Sequence, residues 1–166
     1  ISFALLALTF ITLIGTAILL KENYSPITNY LSDLGLPGSS ALFFNAGIIL
    51  SGLLLFTFFF FLMKAMRKKE SNLHLLQKIA YLTGFLASIA LICVGIFPEN
   101  IVPMHFIVSS AFFLLALATV VLFSVPIKQN KLTKNWIYNL ISVCFIISNI
   151  WLIITQAPLP EHASVF

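Results

Sequence analysis

Five apolar stretches, each about twenty residues long and so long enough for a helix to cross a bilayer, take up most of this chain of 166 residues. They cover approximately Ile1–Leu20, Ala41–Met63, Ile79–Phe97, His105–Val125 and Trp136–Thr155. A membrane β-barrel would instead show segments of about ten residues with alternating polarity. The pattern therefore predicts an all-α fold, a polytopic transmembrane bundle with five spanning helices.

The composition excludes a soluble fold. The chain is 60% hydrophobic and 8% charged, whereas soluble domains carry roughly 25% charged residues. A soluble protein of this size could not bury so much apolar surface. We expect one transmembrane domain over residues 1–166, with the lipid bilayer as its surroundings and no nucleic acid as a partner. The chain begins with Ile1 inside an apolar run, and residues 160–166 would lead into a sixth helix that is cut off.

The basic residues indicate how the chain is threaded. Eight of the nine cations fall between the second and third or the fourth and fifth apolar stretches. They are Lys64, Arg67, Lys68, Lys69 and Lys78 in the first group and Lys128, Lys131 and Lys134 in the second. By the positive-inside rule these loops are cytoplasmic, and with them the amino terminus. The sequence therefore predicts a multi-pass protein of the cell membrane.

The first outer loop, residues 23–40, has its own pattern. Ser25 followed by Pro26 is a helix start, and Gly35 is a natural stop. Between them, apolar residues fall on one face. The pattern predicts a short interfacial helix from Pro26 to Leu34, with Ile27, Tyr30, Leu31 and Leu34 against apolar surface.

Polar residues on the outer side form a candidate site. Asp33, Glu99 and His105 would lie at one level, with Glu161 and His162 as further candidates. Carboxylates and imidazole can bind a divalent metal or do acid–base chemistry on a lipid headgroup. They can equally cap helices and solvate loops. No recognised metal spacing, nucleophile elbow or phosphate loop is present, so we expect no metal or cofactor and assign no catalytic residue.

Small and polar residues form faces within the spans. They include Ser51, Ala87, Ala116 and Thr119, and a stripe of Asn135, Asn139, Ser142 and Asn149 in the fifth stretch. Such faces hold membrane helices together, or line a polar cavity that reaches inward from the outer side. Cys93 and Cys144 both fall within apolar runs and are expected to be packing residues rather than a redox pair. No ionisable residue lies near the middle of a span, which argues against ion-coupled transport.

Two groups of residues carry a family resemblance. The first is the loop Tyr24 to Gly35, with Ser32-Asp33-Leu34-Gly35 at its centre, followed by Asn45 and Gly47; the second is Phe97-Pro98-Glu99 followed by His105. Together they resemble domain-of-unknown-function family 998, uncharacterised prokaryotic polytopic membrane proteins. The resemblance covers nearly the whole chain and implies a six-helix membrane fold, but no reaction.

Two functions remain open from the sequence. The first is a non-catalytic accessory or structural subunit of a membrane complex, which would pack against other subunits. The alternative is a membrane-embedded enzyme or lipid-binding protein with an outward-facing site at Asp33, Glu99 and His105.

Overall fold

The computed structural model describes residues 2–69 and 75–129, and all regular structure within them is helical. The long helices are α1 (Ser2–Leu20), α2 (Ala41–Lys69), α3 (Leu75–Ile96) and α4 (Met104–Gln129). A 3-10 helix, Leu31–Gly35, lies between α1 and α2. The predicted fifth span, Trp136–Thr155, and the residues Glu161 and His162 lie outside the described residues.

Three of the described helices contain segments long and apolar enough to cross a membrane. These are Ala41–Ala65, Leu75–Ile96 and Met104–Phe123, with mean hydropathies of 2.4, 2.3 and 2.6. The apolar segment Leu5–Leu20 of α1 is shorter. The described residues therefore confirm an all-helical fold with apolar spans, as expected for a membrane bundle. The predicted number of five spans, with a sixth to follow, is not tested by these residues.

The helices extend further than the apolar runs. Helix α2 continues from the predicted end at Met63 to Lys69, and α3 begins at Leu75 rather than Ile79. The placement of Lys64 and Lys78 in a loop is therefore wrong, since both lie on helices. The physical reason is that Lys and Arg are good helix formers, so that a helix can continue past the apolar core without penalty. In the same way α4 extends from the predicted end at Val125 to Gln129.

Consecutive helices pack side by side, α1 on α2, α2 on α3 and α3 on α4. Close approach of α2 and α3 depends on glycine. A Cβ atom at Gly52 would lie 2.6 Å from Ile92 Cγ1, and one at Gly84 would lie 2.7 Å from Phe59 Cε1. Phe59 also stacks on Phe123 of α4, with ring centroids 6.2 Å apart. Small residues and aromatic rings thus join α2, α3 and α4.

An apolar groove of about 580 Å³ is lined by side chains of all four long helices. Helices α1 and α4 form its two flanks, through residues such as Phe10 and Phe112. Small side chains, Ala7, Ala87 and Ala116, lie along it.

The first loop differs from its prediction. The chain turns at residues 25–29, Tyr30 is extended (φ −72°, ψ 152°), and only Leu31–Gly35 is helical, in the 3-10 form. Local side-chain hydrogen bonds compete with the expected α-helix, because Asn29 Oδ1 accepts from the Ser25 N–H and Asp33 Oδ2 accepts from the Tyr30 N–H.

The predicted apolar face of this loop is also mostly wrong. Ile27 is 95% exposed, and Tyr30 and Leu31 are about half exposed, whereas Leu34 is fully buried. A turn with an extended residue cannot keep the helical spacing that would align these four side chains, so Leu34 alone reaches the core.

Candidate functional site

Leu34 and Gly35 anchor the first loop on the helices. Leu34 packs into a core cluster with Ile14, Phe44 and Ile48 of α1 and α2. Its carbonyl oxygen accepts a hydrogen bond from Ser40 Oγ over 2.9 Å, and the carbonyl oxygen of Gly35 accepts one from Asn45 Nδ2 over 3.2 Å. The loop is therefore folded back over the bundle, with Ser32 and Asp33 immediately before the anchor.

The Asp33 carboxylate organises the turn that precedes it. Its Oδ2 atom accepts from the Tyr30 N–H over 3.0 Å and from Asn29 Nδ2 over 3.2 Å. This is the capping role that the sequence left open for Asp33. The Asp33 charge also acts at the start of the loop: burial raises the pKa of the Tyr24 phenol, and the charge of Asp33 raises it further.

The connection between α3 and α4 is short and internally bonded. The Ile101 N–H donates to the Pro98 carbonyl oxygen over 2.8 Å, and the His105 N–H donates to the Ile101 carbonyl oxygen over 3.0 Å. His105 Nδ1 lies 2.7 Å from the carbonyl oxygen of Phe97. Because a carbonyl oxygen can only accept, Nδ1 carries a proton, and Nε2 is the ring nitrogen left for other partners.

Glu99 lies between these two segments. Its Oε2 atom is buried and has no hydrogen-bond partner within the described residues. Burial is the largest cause that raises the pKa of the Glu99 carboxyl, and the neighbouring Asp33 raises it further. The hydroxyl of Ser32 lowers this pKa, and His105 lowers it more weakly. The structure thus places Glu99 close to Asp33 on one side and to His105 on the other.

A cavity of about 210 Å³ opens beside Glu99 and His105. Its lining residues are Tyr30, Ser32, Glu99, Val102, His105, Phe106 and Ser109. Asp33 is not among them and acts through Glu99. Among the residues that the structure describes, no Lys or Arg lines this cavity, and its polar side chains carry carboxyl, imidazole and hydroxyl groups.

The sequence did not assign Tyr30, Ser32 and Ser109 to the site. A signal existed for two of them. Ser32 directly precedes Asp33, and Ser109 lies one helical turn after His105, on the same face of α4. Ser109 Oγ donates to the His105 carbonyl oxygen over 2.6 Å. Tyr30 carried no such signal, because its position depends on how the loop folds back.

The site can exchange protons and accept hydrogen bonds. A carboxyl group with a raised pKa keeps its proton to a higher pH than an ordinary carboxyl group does, and imidazole nitrogens can donate or accept hydrogen bonds. Within residues 2–69 and 75–129, no three His, Cys, Asp or Glu side chains are grouped so as to hold a metal ion.

The comparison with protein families covers this whole arrangement. The model of the family described as "Protein of unknown function (DUF998)" matches residues 4–164. The chain belongs to the DUF998 family. The match includes both loops of the candidate site and extends through the predicted fifth span. No curated protein and no solved structure matches the chain.

Proposed function

We propose that this DUF998 protein binds the amine-bearing headgroup of a membrane lipid in the cavity beside Glu99 and His105. The observation that carries the proposal is the buried Oε2 atom of Glu99, which has no hydrogen-bond partner among the described residues. A buried acceptor without a partner costs about 1–3 kcal/mol, and a donor from a ligand would recover this energy.

The lining of the cavity favours an ammonium group over a phosphate. Glu99 and the nearby Asp33 supply negative charge, and His105 Nε2 supplies a further acceptor. The aromatic rings of Tyr30 and Phe106 also line the cavity, and aromatic rings attract cations by roughly 0.5–2 kcal/mol. A phosphate would meet these carboxyl groups, and no Lys or Arg among the described lining residues would neutralise it.

The proposed location is the outer leaflet of a cell membrane. The basic ends of α2 and α3, at Lys64 and Lys78, are at the opposite end of these helices from the cavity. The positive-inside rule then places the basic end, together with the amino terminus, in the cytoplasm. The cavity would face outward, at the level of the lipid headgroups.

The test is a binding measurement on the purified protein in nanodiscs. Native mass spectrometry would compare phosphatidylethanolamine with phosphatidylglycerol of the same acyl chains, and free ethanolamine would separate a lipid site from a site for soluble amines. Phosphatidylethanolamine should be retained preferentially, and Glu99→Gln should abolish the preference. Glu22→Gln, which changes an exposed acid just after α1, is the matched control and should keep it. Equal retention of both lipids would contradict the proposal.

Turnover of the bound lipid would make the protein an enzyme that uses Glu99 and His105 as acid and base.

A second candidate is the accessory or structural subunit of a membrane complex. It is favoured by exposed apolar side chains around the mouth of the cavity, where Val102 is 75% exposed and Tyr30 about half exposed. A partner subunit covering this rim would be lost from the complex on Val102→Ser and Tyr30→Ser. If stoichiometric complexes persist in both variants after purification in mild detergent, this rim is not the interface.

A further inference from the structure

We propose that residues 136–155 of this chain occupy the apolar groove between α1 and α4. This inference concerns how the bundle is closed, and it does not depend on headgroup binding. The groove is lined by Ser51, Ala87, Ala116 and Thr119, among others, and these are packing residues that the sequence singled out on three different spans. Within residues 2–69 and 75–129, no helix packs over them.

The connectivity brings the segment to this groove. Helix α4 ends at Gln129, and the next apolar stretch begins near Trp136. Helix connections of about 2–8 residues join antiparallel neighbours in bundles. One side of α4 is taken by α3. The segment must therefore pack against another side of α4, and the groove offers contacts with four helices rather than one.

The residue types on both sides fit a helix–helix contact. Ala7, Ala87 and Ala116 leave room for close approach, which is what membrane helices use to associate. The incoming stretch carries Asn139, Ser142 and Asn149 on one face at helical spacing. Ser51, which lines the groove, has a buried Oγ without a hydrogen-bond partner in the described part of the chain. The side-chain amide of Asn139 or Asn149 would supply a hydrogen-bond partner for Ser51 and would keep the amide and the hydroxyl group away from lipid.

The register follows from the helix rise. Suppose that Gln129 and Trp136 lie at the same depth in the membrane. A residue that lies a given number of positions before Gln129 is then at the same depth as the residue that lies equally many positions after Trp136, since antiparallel helices both rise about 1.5 Å per residue. Ala116 is then opposite Asn149. Ile146 and Ile153, about one turn on either side of Asn149 on the same face, allow for a shift in register.

Disulfide cross-linking of the full chain tests the proposal. In a background with Cys93→Ala and Cys144→Ala, Ala116→Cys would be paired in turn with Ile146→Cys, Asn149→Cys and Ile153→Cys, and oxidised in native membranes. At least one pair should form a cross-link within a single chain, because disulfides need Cα atoms within about 7 Å. The matched control pairs Asn149→Cys with Leu114→Cys, which is 57% exposed on another face of α4.

The cross-linking results distinguish residues 136–155 from a second copy of the chain, and from lipid or a partner protein, as the occupant of the groove. A cross-linked monomer with Ala116→Cys, together with an unlinked control, supports the proposal. Cross-linked dimers would show that a second copy fills the groove. The absence of a cross-link from all three pairs, or equal cross-linking of the control, would show that residues 136–155 pack elsewhere and leave the groove to lipid or a partner.

Discussion

His105 Nδ1 lies 2.7 Å from the carbonyl oxygen of Phe97, and this bond joins the end of α3 to the start of α4. It holds Glu99, two residues after Phe97, at the same level as the imidazole. It also uses the Nδ1 proton, so that Nε2 is the ring nitrogen left for other partners. The proton-exchanging character of the cavity therefore depends on a contact between a side chain and the backbone of the preceding helix end.

The stability of the protein should depend on pH through Glu99. Its pKa is raised above the ordinary value of 4.5, first by burial, so the folded protein binds this proton more tightly than the unfolded chain. Between 4.5 and the raised folded value the free energy of unfolding therefore falls as the pH rises. This loss of stability is absent below pH 4.5 and complete above the pKa of Glu99 in the folded protein. Glu99→Gln should melt at a higher temperature than the wild type at pH 8 and should lose this advantage at pH 4.

Thermal unfolding in detergent from pH 4 to pH 8 measures this dependence. The exposed acid in Glu22→Gln serves as the control and should leave the profile unchanged. A stability difference for Glu99→Gln that stays constant across the whole range would show that the substitution acts through packing rather than through ionisation.

Asp33 and His105 should act on Glu99 in opposite directions. Asp33→Asn keeps an oxygen that can accept from the Tyr30 N–H but removes the charge, so the pKa of Glu99 should fall. His105→Ala removes a group that lowers this pKa, and it breaks the bond to Phe97, at a cost of roughly 1–3 kcal/mol. Because both changes act on one carboxyl group, their effects on stability should be non-additive by about 0.5–3 kcal/mol. Unfolding of the two single variants and the double variant at pH 7 tests this, and strictly additive effects would mean that the three residues are not coupled.

Gly35→Ala should detach the first loop from α2. A Cβ atom at this position would lie 2.7 Å from Asn45 Oδ1 and 2.9 Å from Phe44 Cδ1. Overpacking of this kind costs about 1–3 kcal/mol, and the loop should become accessible to protease. Gly15→Ala is the matched control, because nothing lies within 4 Å of its Cβ position and alanine favours a helix. If both variants resist protease equally, the anchor at Gly35 does not hold the loop.

Accessibility from outside the cell tests the orientation. With Cys93 and Cys144 replaced by alanine, a cysteine at the exposed position Asn100 should react with a membrane-impermeant maleimide in intact cells. A cysteine at Asn72, between α2 and α3, should react only after the membrane is permeabilised. The reverse pattern would place the cavity in the cytoplasm.

The sequence predicted what depends on polarity and spacing along the chain. The apolar runs located α2, α3 and α4, and Leu34 was correctly assigned to the core. The ends of α2 and α4 were placed too early and the start of α3 too late, because apolar content marks the hydrocarbon core, whereas the helices continue through basic residues such as Lys64. The interfacial helix was wrong because Asn29 and Asp33 use their side chains to bond nearby backbone N–H groups.

The candidate site was predictable in its residues but not in its shape. Asp33, Glu99 and His105 were identified from charge and from their positions at span ends. The cavity depends on the loop docking through Leu34 and Gly35, which brings Tyr30 and Ser32 over the start of α4. Such a contact between distant parts of the chain leaves no local pattern in the sequence.

Closing the mouth of the cavity tests headgroup binding most directly. Val102 lines the cavity and is 75% exposed, so Val102→Trp can obstruct the cavity without disturbing the core. The neighbouring Ile101 is exposed but does not line the cavity, and Ile101→Trp is the matched control. Retention of phosphatidylethanolamine in nanodiscs should fall about tenfold or more in Val102→Trp, a loss of about 1.4 kcal/mol, and should be unchanged in Ile101→Trp. Equal retention by both variants would contradict a headgroup site beside Glu99 and His105.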